Sequence, residues 1–169
     1  MSYFNGNNKT LFHSTLVFFI ILMICASPLM LQAAGSSDDD FALQKSRDYQ
    51  RAVSYIKKSD YSAAIPLLRK ELEKNPENAD AHNYLGYVLR KRSDLKNSAV
   101  HYNKALEINP KHLGALEYQG ELFLTVGNIE LAKANLEKLE KLCWLGCDEY
   151  DDLKVSIEAY QQGRKVSRY

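Results

Sequence analysis

The sequence predicts an all-α fold, a stack of three helical hairpins followed by one further helix. Residues of the same character recur every 34 positions, and apolar residues within each copy have the spacing of one helix face. Pro76 and Pro110 close the first two copies at matching positions. Because one hairpin cannot bury its apolar face alone, about three must stack to form a core.

The 34-residue period is visible as rows of small, large and turn residues. Small residues allow two helices of a hairpin to cross closely, and large residues fill the space between hairpins. The turn row predicts where each hairpin reverses direction. The rows are Ala52, Gly86 and Gly120; Tyr55, Leu89 and Phe123; Ser59, Ser93 and Gly127; Ala64, Ser98 and Ala132; and Leu68, Tyr102 and Leu136.

This order of small and large positions resembles the tetratricopeptide repeat, over about residues 45–143. The resemblance implies repeats at 45–78, 79–112 and 113–146 in a right-handed α-solenoid. The first helix is predicted to run from about Phe41 to Lys58. The resemblance also implies a protein-interaction module rather than an enzyme.

The N-terminal 35 residues are predicted to be an export signal. An apolar run from Leu16 to Ala26 precedes Ala33-Ala34-Gly35, a small-residue cleavage site. The alternative is an uncleaved anchor, because apolar character extends over residues 11–31, enough to span a bilayer. Both interpretations place the repeats outside the cytoplasmic membrane. The expected location is the periplasm or the exterior, or else the periplasmic face of the inner membrane.

The segments that flank the repeats are short. Residues 36–44 are a polar, acidic linker. Residues 147–163 are predicted to form a capping helix, with acidic residues in its first turn and one apolar stripe. A basic tail, residues 164–169, follows.

Two cysteines, Cys143 and Cys147, follow the predicted export signal. An even pair in an exported protein indicates a disulfide. The alternatives are two reduced cysteines or a thiol-disulfide protein, although three residues separate the cysteines and no βαβ pattern surrounds them. No histidine follows at ligand spacing, so no metal is expected. The segment 143–150 is similar to the tail of short exported bacterial repeat proteins.

Charge and motif content limit the function classes. The chain has 22 basic and 21 acidic residues and a net charge of +1, which argues against binding driven by nucleic-acid phosphates. No nucleophile or carboxylate pair is tied by spacing to a histidine, so neither catalysis nor a cofactor is expected.

The resemblance implies that the first helix of each repeat lines a concave groove for a peptide or protein partner, whose identity stays open. Aromatic and aliphatic residues are expected at one end, basic residues in the middle and acidic residues at the other end. A structural subunit of an envelope complex is a further alternative. The candidate groove residues are Tyr49, Val53, Asn83, Tyr87, Arg90, Lys91, Glu117 and Glu121.

Two of these residues have specific expected roles. Asn83 can donate to a peptide carbonyl, and Arg90 can bind a carboxylate. The alternative is that Arg90 and Lys91 pair with neighbouring acids of the chain itself. Of the positions that form the family's clamp for chaperone tails, Asn83 alone has the required residue, so a chaperone carboxyl terminus is not the expected ligand.

Overall fold

Residues 46–164 are the part of the chain that the computed structural model describes. The predicted export signal or anchor, the linker and all of the basic tail except Arg164 lie outside this part. The described residues contain no strand and form seven helices. The helices are α1 (Arg47–Lys57), α2 (Tyr61–Lys74), α3 (Ala79–Lys91), α4 (Leu95–Ile108), α5 (Leu113–Thr125), α6 (Ile129–Leu142) and α7 (Asp148–Gln161).

Most of the helices begin at a polar residue that caps the first turn. In six of them, the side chain of the residue before the helix accepts a hydrogen bond from the backbone N–H three positions later. Such a bond satisfies one of the amides that have no partner within the helix. The capping residues are Ser46, Asp60, Asn78, Asp94, His112 and Asn128.

The first helix begins later than the sequence predicted. The prediction placed its start near Phe41, whereas α1 begins at Arg47. The Ser46 hydroxyl accepts a hydrogen bond from the Tyr49 amide at 3.2 Å, which caps the helix at this point. None of the seven described helices combines the length and the hydropathy that crossing a bilayer requires.

The hairpins turn at the predicted row of residues. Ser59 and Ser93 have φ angles of 57° and 64°, and Gly127 has a φ of 80°. These left-handed conformations end the first helix of each hairpin and reverse the chain. Consecutive helices pack in pairs, and each pair packs on the next, so the predicted all-α helical solenoid is confirmed.

Small residues mark the closest helix crossings, but not always within a hairpin. A Cβ atom on Gly86 would lie 2.7 Å from Cδ1 of Tyr102, in the second helix of the same hairpin. A Cβ atom on Gly120 would instead lie 2.6 Å from the methyl carbons of Leu153, on α7. Gly120, the small residue of the third repeat, therefore allows the capping helix α7 to approach closely, and α7 packs on both α5 and α6.

Candidate functional site on the first helices of the repeats

The first helices of the three hairpins, α1, α3 and α5, pack side by side. We call the surface that they form the first-helix face. Most of the candidate groove residues lie beneath this surface rather than on it, because five of them are no more than 8% exposed. Val53 and Lys91 are half-buried. The five buried residues are Tyr49, Asn83, Tyr87, Glu117 and Glu121.

Arg90 forms an ion pair with Glu121, which joins α3 to α5. Their side chains are 12% and 4% exposed, so the pair is largely removed from water. The Arg90 guanidinium also lies 5.7 Å from the centre of the Tyr87 ring. The structure thus matches the alternative that Arg90 pairs with an acid of its own chain, and a ligand carboxylate would have to compete with Glu121.

The acidic end of the predicted groove is covered by α7. The Ser156 hydroxyl on α7 lies 3.4 Å from Oε1 of Glu121, to which it donates a hydrogen bond. Burial, together with the nearby Glu121, Asp152 and Glu149, raises the pKa of Glu117 to about 9. Glu117 is therefore protonated at neutral pH. Because Arg90 neutralises Glu121, neither glutamate presents an unpaired negative charge to a ligand.

Two tyrosines that are not among the candidate groove residues, Tyr84 and Tyr118, also lie on the first helices of their repeats. Tyr84 and Tyr118 are 34 residues apart and half-buried. The Tyr84 ring centre lies 6.0 Å from that of Tyr49, and the Tyr118 ring centre lies 5.0 Å from that of Tyr87. The repeat period could have identified this pair, since both tyrosines occupy the same position of consecutive repeats.

An open cavity of about 220 Å³ lies between α1 and α3 on this face. It is lined by Tyr49, Gln50, Val53 and Tyr84. Two of these residues are tyrosines and one is aliphatic, so the cavity suits an apolar side chain.

Asn83, the residue before Tyr84, is almost completely buried. Its Oδ1 atom has no hydrogen-bond partner among the described residues. A buried acceptor without a partner destabilises the fold, and this oxygen is enclosed by the protein rather than displayed to a ligand.

Two histidines of the second repeat contact each other away from the tyrosines. The Nδ1 atoms of His82 and His101 lie 3.0 Å apart, and Nε2 of His82 lies 3.0 Å from the Pro76 carbonyl oxygen. Because Nε2 must donate to that carbonyl, Nδ1 of neutral His82 is the acceptor and His101 is the donor. Residues 46–164 hold no group of three or more His, Cys, Asp or Glu side chains placed to bind a metal.

The two cysteines lie at the junction of α6 and α7. Their sulfur atoms are at bonding distance and their Cα atoms are 5.6 Å apart, a usual separation for a disulfide. Cys143 is the residue that ends α6, and Cys147 is the residue that precedes α7.

A family model described as tetratricopeptide repeat matches residues 49–112, which cover most of the first two hairpins. The first two hairpins are tetratricopeptide repeats. The third hairpin has the same helix order and the same turn position.

Two curated proteins share part of this sequence. The Sol locus transcriptional repressor of Clostridium acetobutylicum is 31% identical over 91 residues, which are 53% of this chain and 29% of the repressor. Protein CTR9 homolog of Arabidopsis thaliana is 29% identical over 137 residues, covering 71% of this chain and 12% of that protein. The chain therefore spans less than a third of the length of either relative.

Solved tetratricopeptide domains share the fold at low identity. The first such domain of Spaghetti (RPAP3), bound to the HSP90 peptide SRMEEVD, is 17% identical with a TM-score of 0.60, and the match covers 69% of this chain and 89% of that one. The TPR2B domain of yeast Sti1, in a complex with pHsp70, is 18% identical with a TM-score of 0.62, and the match covers 70% of this chain and all of the domain.

Proposed function

We propose that this chain is an exported protein-interaction module that binds an extended peptide segment of a partner on its first-helix face. The observation that carries the proposal is the open cavity that Val53 and Tyr84 line together with Tyr49 and Gln50. An apolar side chain of the peptide enters the cavity. On the same fold, the Spaghetti (RPAP3) domain binds an HSP90 peptide and the Sti1 domain is in a complex with pHsp70, which supports recognition rather than turnover.

The charges of the face indicate which peptides fit. Arg90 is engaged by Glu121 and Glu117 is protonated at neutral pH, so the centre of the face has little net charge. Apolar contact and main-chain hydrogen bonds then supply the affinity. We expect binding that is weakly dependent on salt and that does not require a free carboxyl terminus on the peptide.

The capping helix limits the groove to the first two repeats. Leu153 and Ser156 hold α7 against α5, which closes the third repeat. The peptide therefore contacts α1 and α3, and on α5 it contacts Tyr118.

The export part of the proposal rests on the apolar N-terminal segment and on the cysteine pair. We propose that Cys143 and Cys147 are bridged in an oxidising compartment and that the bridge is structural. Thiol counting in a glutathione series tests this part: a structural bridge stays intact until the domain unfolds. Reduction while the helices remain folded would favour the thiol-disulfide alternative instead.

The binding part is tested with a displayed library of random peptides, with Val53→Asp and Val100→Asp compared. Both valines lie on helices, but Val53 lines the cavity whereas Val100 is exposed on α4. We expect wild type and Val100→Asp to select the same apolar peptides, and Val53→Asp to bind them at least about tenfold more weakly. Helical circular dichroism should be the same for all three.

Two results would contradict the proposal. One is that peptides selected by the wild type bind equally well to Val53→Asp and to Tyr84→Ala. The other is that no peptide is enriched above the background of an unrelated helical domain. Amidating the carboxyl termini of selected peptides then separates main-chain binding, which survives, from carboxylate binding, which is lost.

A further inference from the structure

Two adjacent large apolar side chains extend from the loop between α6 and α7. Trp144 is 81% exposed and Leu145 is 79% exposed. The next most exposed large apolar side chain among the described residues, Val100, is 57% exposed. Such side chains gain free energy when they leave water, and adjacent ones commonly mark a contact surface. We call Trp144 and Leu145 the apolar tip.

The loop holds the apolar tip away from the rest of the domain. The bond between Cys143 and Cys147 closes a five-residue loop whose ends are fixed by α6 and α7. The Gly146 amide donates to the Cys143 carbonyl at 2.7 Å, and the φ of Gly146 is 91°, a conformation that favours glycine. The tip is therefore ordered before binding, which lowers the entropy cost of a contact.

The charge distribution along the domain indicates what the tip contacts. The helix that follows the tip, α7, has five acidic residues and one lysine. At the opposite end, α1 has three basic residues and one acidic residue, and Lys58 follows it. The basic side chains at that end are exposed, and we call them the basic end. They are Arg47, Arg51, Lys57 and Lys58.

We propose that the apolar tip docks on the basic end of a second copy of this chain, in a head-to-tail contact. The acidic start of α7 then faces the basic side chains of α1, and Trp144 and Leu145 pack against the apolar parts of those long side chains. The same acidic residues would be repelled by an anionic membrane surface. A head-to-tail contact uses two different surfaces, so it produces closed rings or open chains rather than a two-fold dimer.

The chain contains one tryptophan, so the fluorescence of Trp144 reports directly on the tip. The protein, purified in the form that the cell produces, is examined by light scattering and fluorescence from about 1 µM to about 100 µM. The expected result is a rising mass, a blue-shifted emission and weaker acrylamide quenching as concentration increases. About 1 M salt should reverse these changes, because it screens the charge contact.

Complementation between two variants tests the head-to-tail geometry. Trp144→Ser/Leu145→Ser keeps the basic end, and Arg47→Glu/Arg51→Glu keeps the tip. Each variant alone should remain a monomer, because it lacks one of the two surfaces. Their mixture should form only dimers, with a blue shift from the single tryptophan that remains. Val100→Ser, which changes an exposed valine elsewhere, should assemble as the wild type does.

Three results would overturn the proposal. The first is a monomer with unchanged emission across the whole concentration range. The second is assembly by either single-surface variant alone. The third is a blue shift that appears with phosphatidylcholine vesicles at a protein concentration at which the mass is that of a monomer, which would assign the tip to a lipid surface.

Discussion

Arg90 on α3 and Glu121 on α5 form a largely buried ion pair that joins the second and third repeats. Ser156 on α7 donates to the same glutamate, so one carboxylate connects three helices. A buried charge pair of this kind adds little net stability compared with apolar residues, but losing one partner leaves the other unpaired in the protein interior. The pair therefore specifies how the third repeat and the capping helix pack on the second repeat.

Removing Arg90 alone should strongly destabilise the domain. We expect Arg90→Met to lower the free energy of unfolding by about 3–5 kcal/mol, because Glu121 is left unpaired beside Glu117. The double variant Arg90→Met/Glu121→Leu should regain much of this loss. Urea denaturation of both single variants and the double variant measures the coupling. Simple additivity of the two single effects would contradict the role of the pair.

The exposed pair of Lys133 and Glu130 provides the matched control. Its atoms are 3.0 Å apart, but the two side chains are 42% and 77% exposed. Lys133→Met should change the free energy of unfolding very little, since water already solvates both charges.

The fold could be predicted from the sequence because its signals are local. Helix periodicity and the turn residues Ser59 and Ser93 act within one hairpin, and the 34-residue rows repeat the same hairpin along the chain. The candidate site was predicted less well because burial depends on distant packing. Glu117 and Glu121 occupy groove positions of the repeat, but Leu153 brings α7 over them. Tyr84 and Tyr118 followed the period, yet they lay outside the positions that the resemblance assigned to the groove.

The protonated Glu117 predicts that stability falls with rising pH. The pKa of this glutamate is raised from its ordinary value of 4.5 to about 9 by burial and by nearby acids. The unfolded chain releases this proton at much lower pH, near 4.5, so the free energy of unfolding decreases as the pH rises from that value towards 9. We expect Glu117→Gln to stabilise the domain by about 1–3 kcal/mol at neutral pH and to flatten the dependence between pH 6 and 9.

Thermal melts at several pH values test this expectation, with Glu137→Gln as the control. Glu137 is exposed on α6, so its substitution should leave the pH dependence of the wild type in place. If Glu117→Gln melts with the same pH dependence as the wild type, Glu117 is ionised in the folded protein and the prediction is wrong.

The pair of His82 and His101 predicts that stability also falls as the pH becomes acidic. Burial and the neighbouring His82 lower the pKa of His101 to about 4, and burial also lowers the pKa of His82. The unfolded chain binds these protons near pH 6.5, so stability is complete above that value and is lost as pH falls towards 4. Because His101 is partly exposed to solvent, we expect it to contribute a reduced loss of about 1–2 kcal/mol.

The variant His101→Gln isolates this contribution. Its side-chain amide can still donate to Nδ1 of His82, but it does not titrate. Carboxylates also titrate in this range, so the informative quantity is the difference in unfolding free energy between wild type and variant from pH 7 to pH 4.5. A constant difference across this range would contradict the prediction.

The two close helix crossings predict different responses to an added methyl group. Gly86→Ala places Cβ against ring carbons of Tyr102, whereas Gly120→Ala places it against the terminal methyl groups of Leu153. We expect Gly86→Ala to cost about 1–3 kcal/mol, and Gly120→Ala to cost less because a leucine side chain adapts more easily than a ring. Urea denaturation measures both losses.

Combining each glycine variant with a second substitution shows whether these contacts cause the loss of stability. Leu153→Val removes the crowded methyl carbons, so it should reduce the cost of Gly120→Ala when the two are combined. Tyr102→Phe keeps the ring carbons that contact Gly86, so it should leave the cost of Gly86→Ala unchanged. If Leu153→Val gives no relief, Gly120 is not the position at which α7 meets the third repeat, and the capping helix would not close that end of the first-helix face.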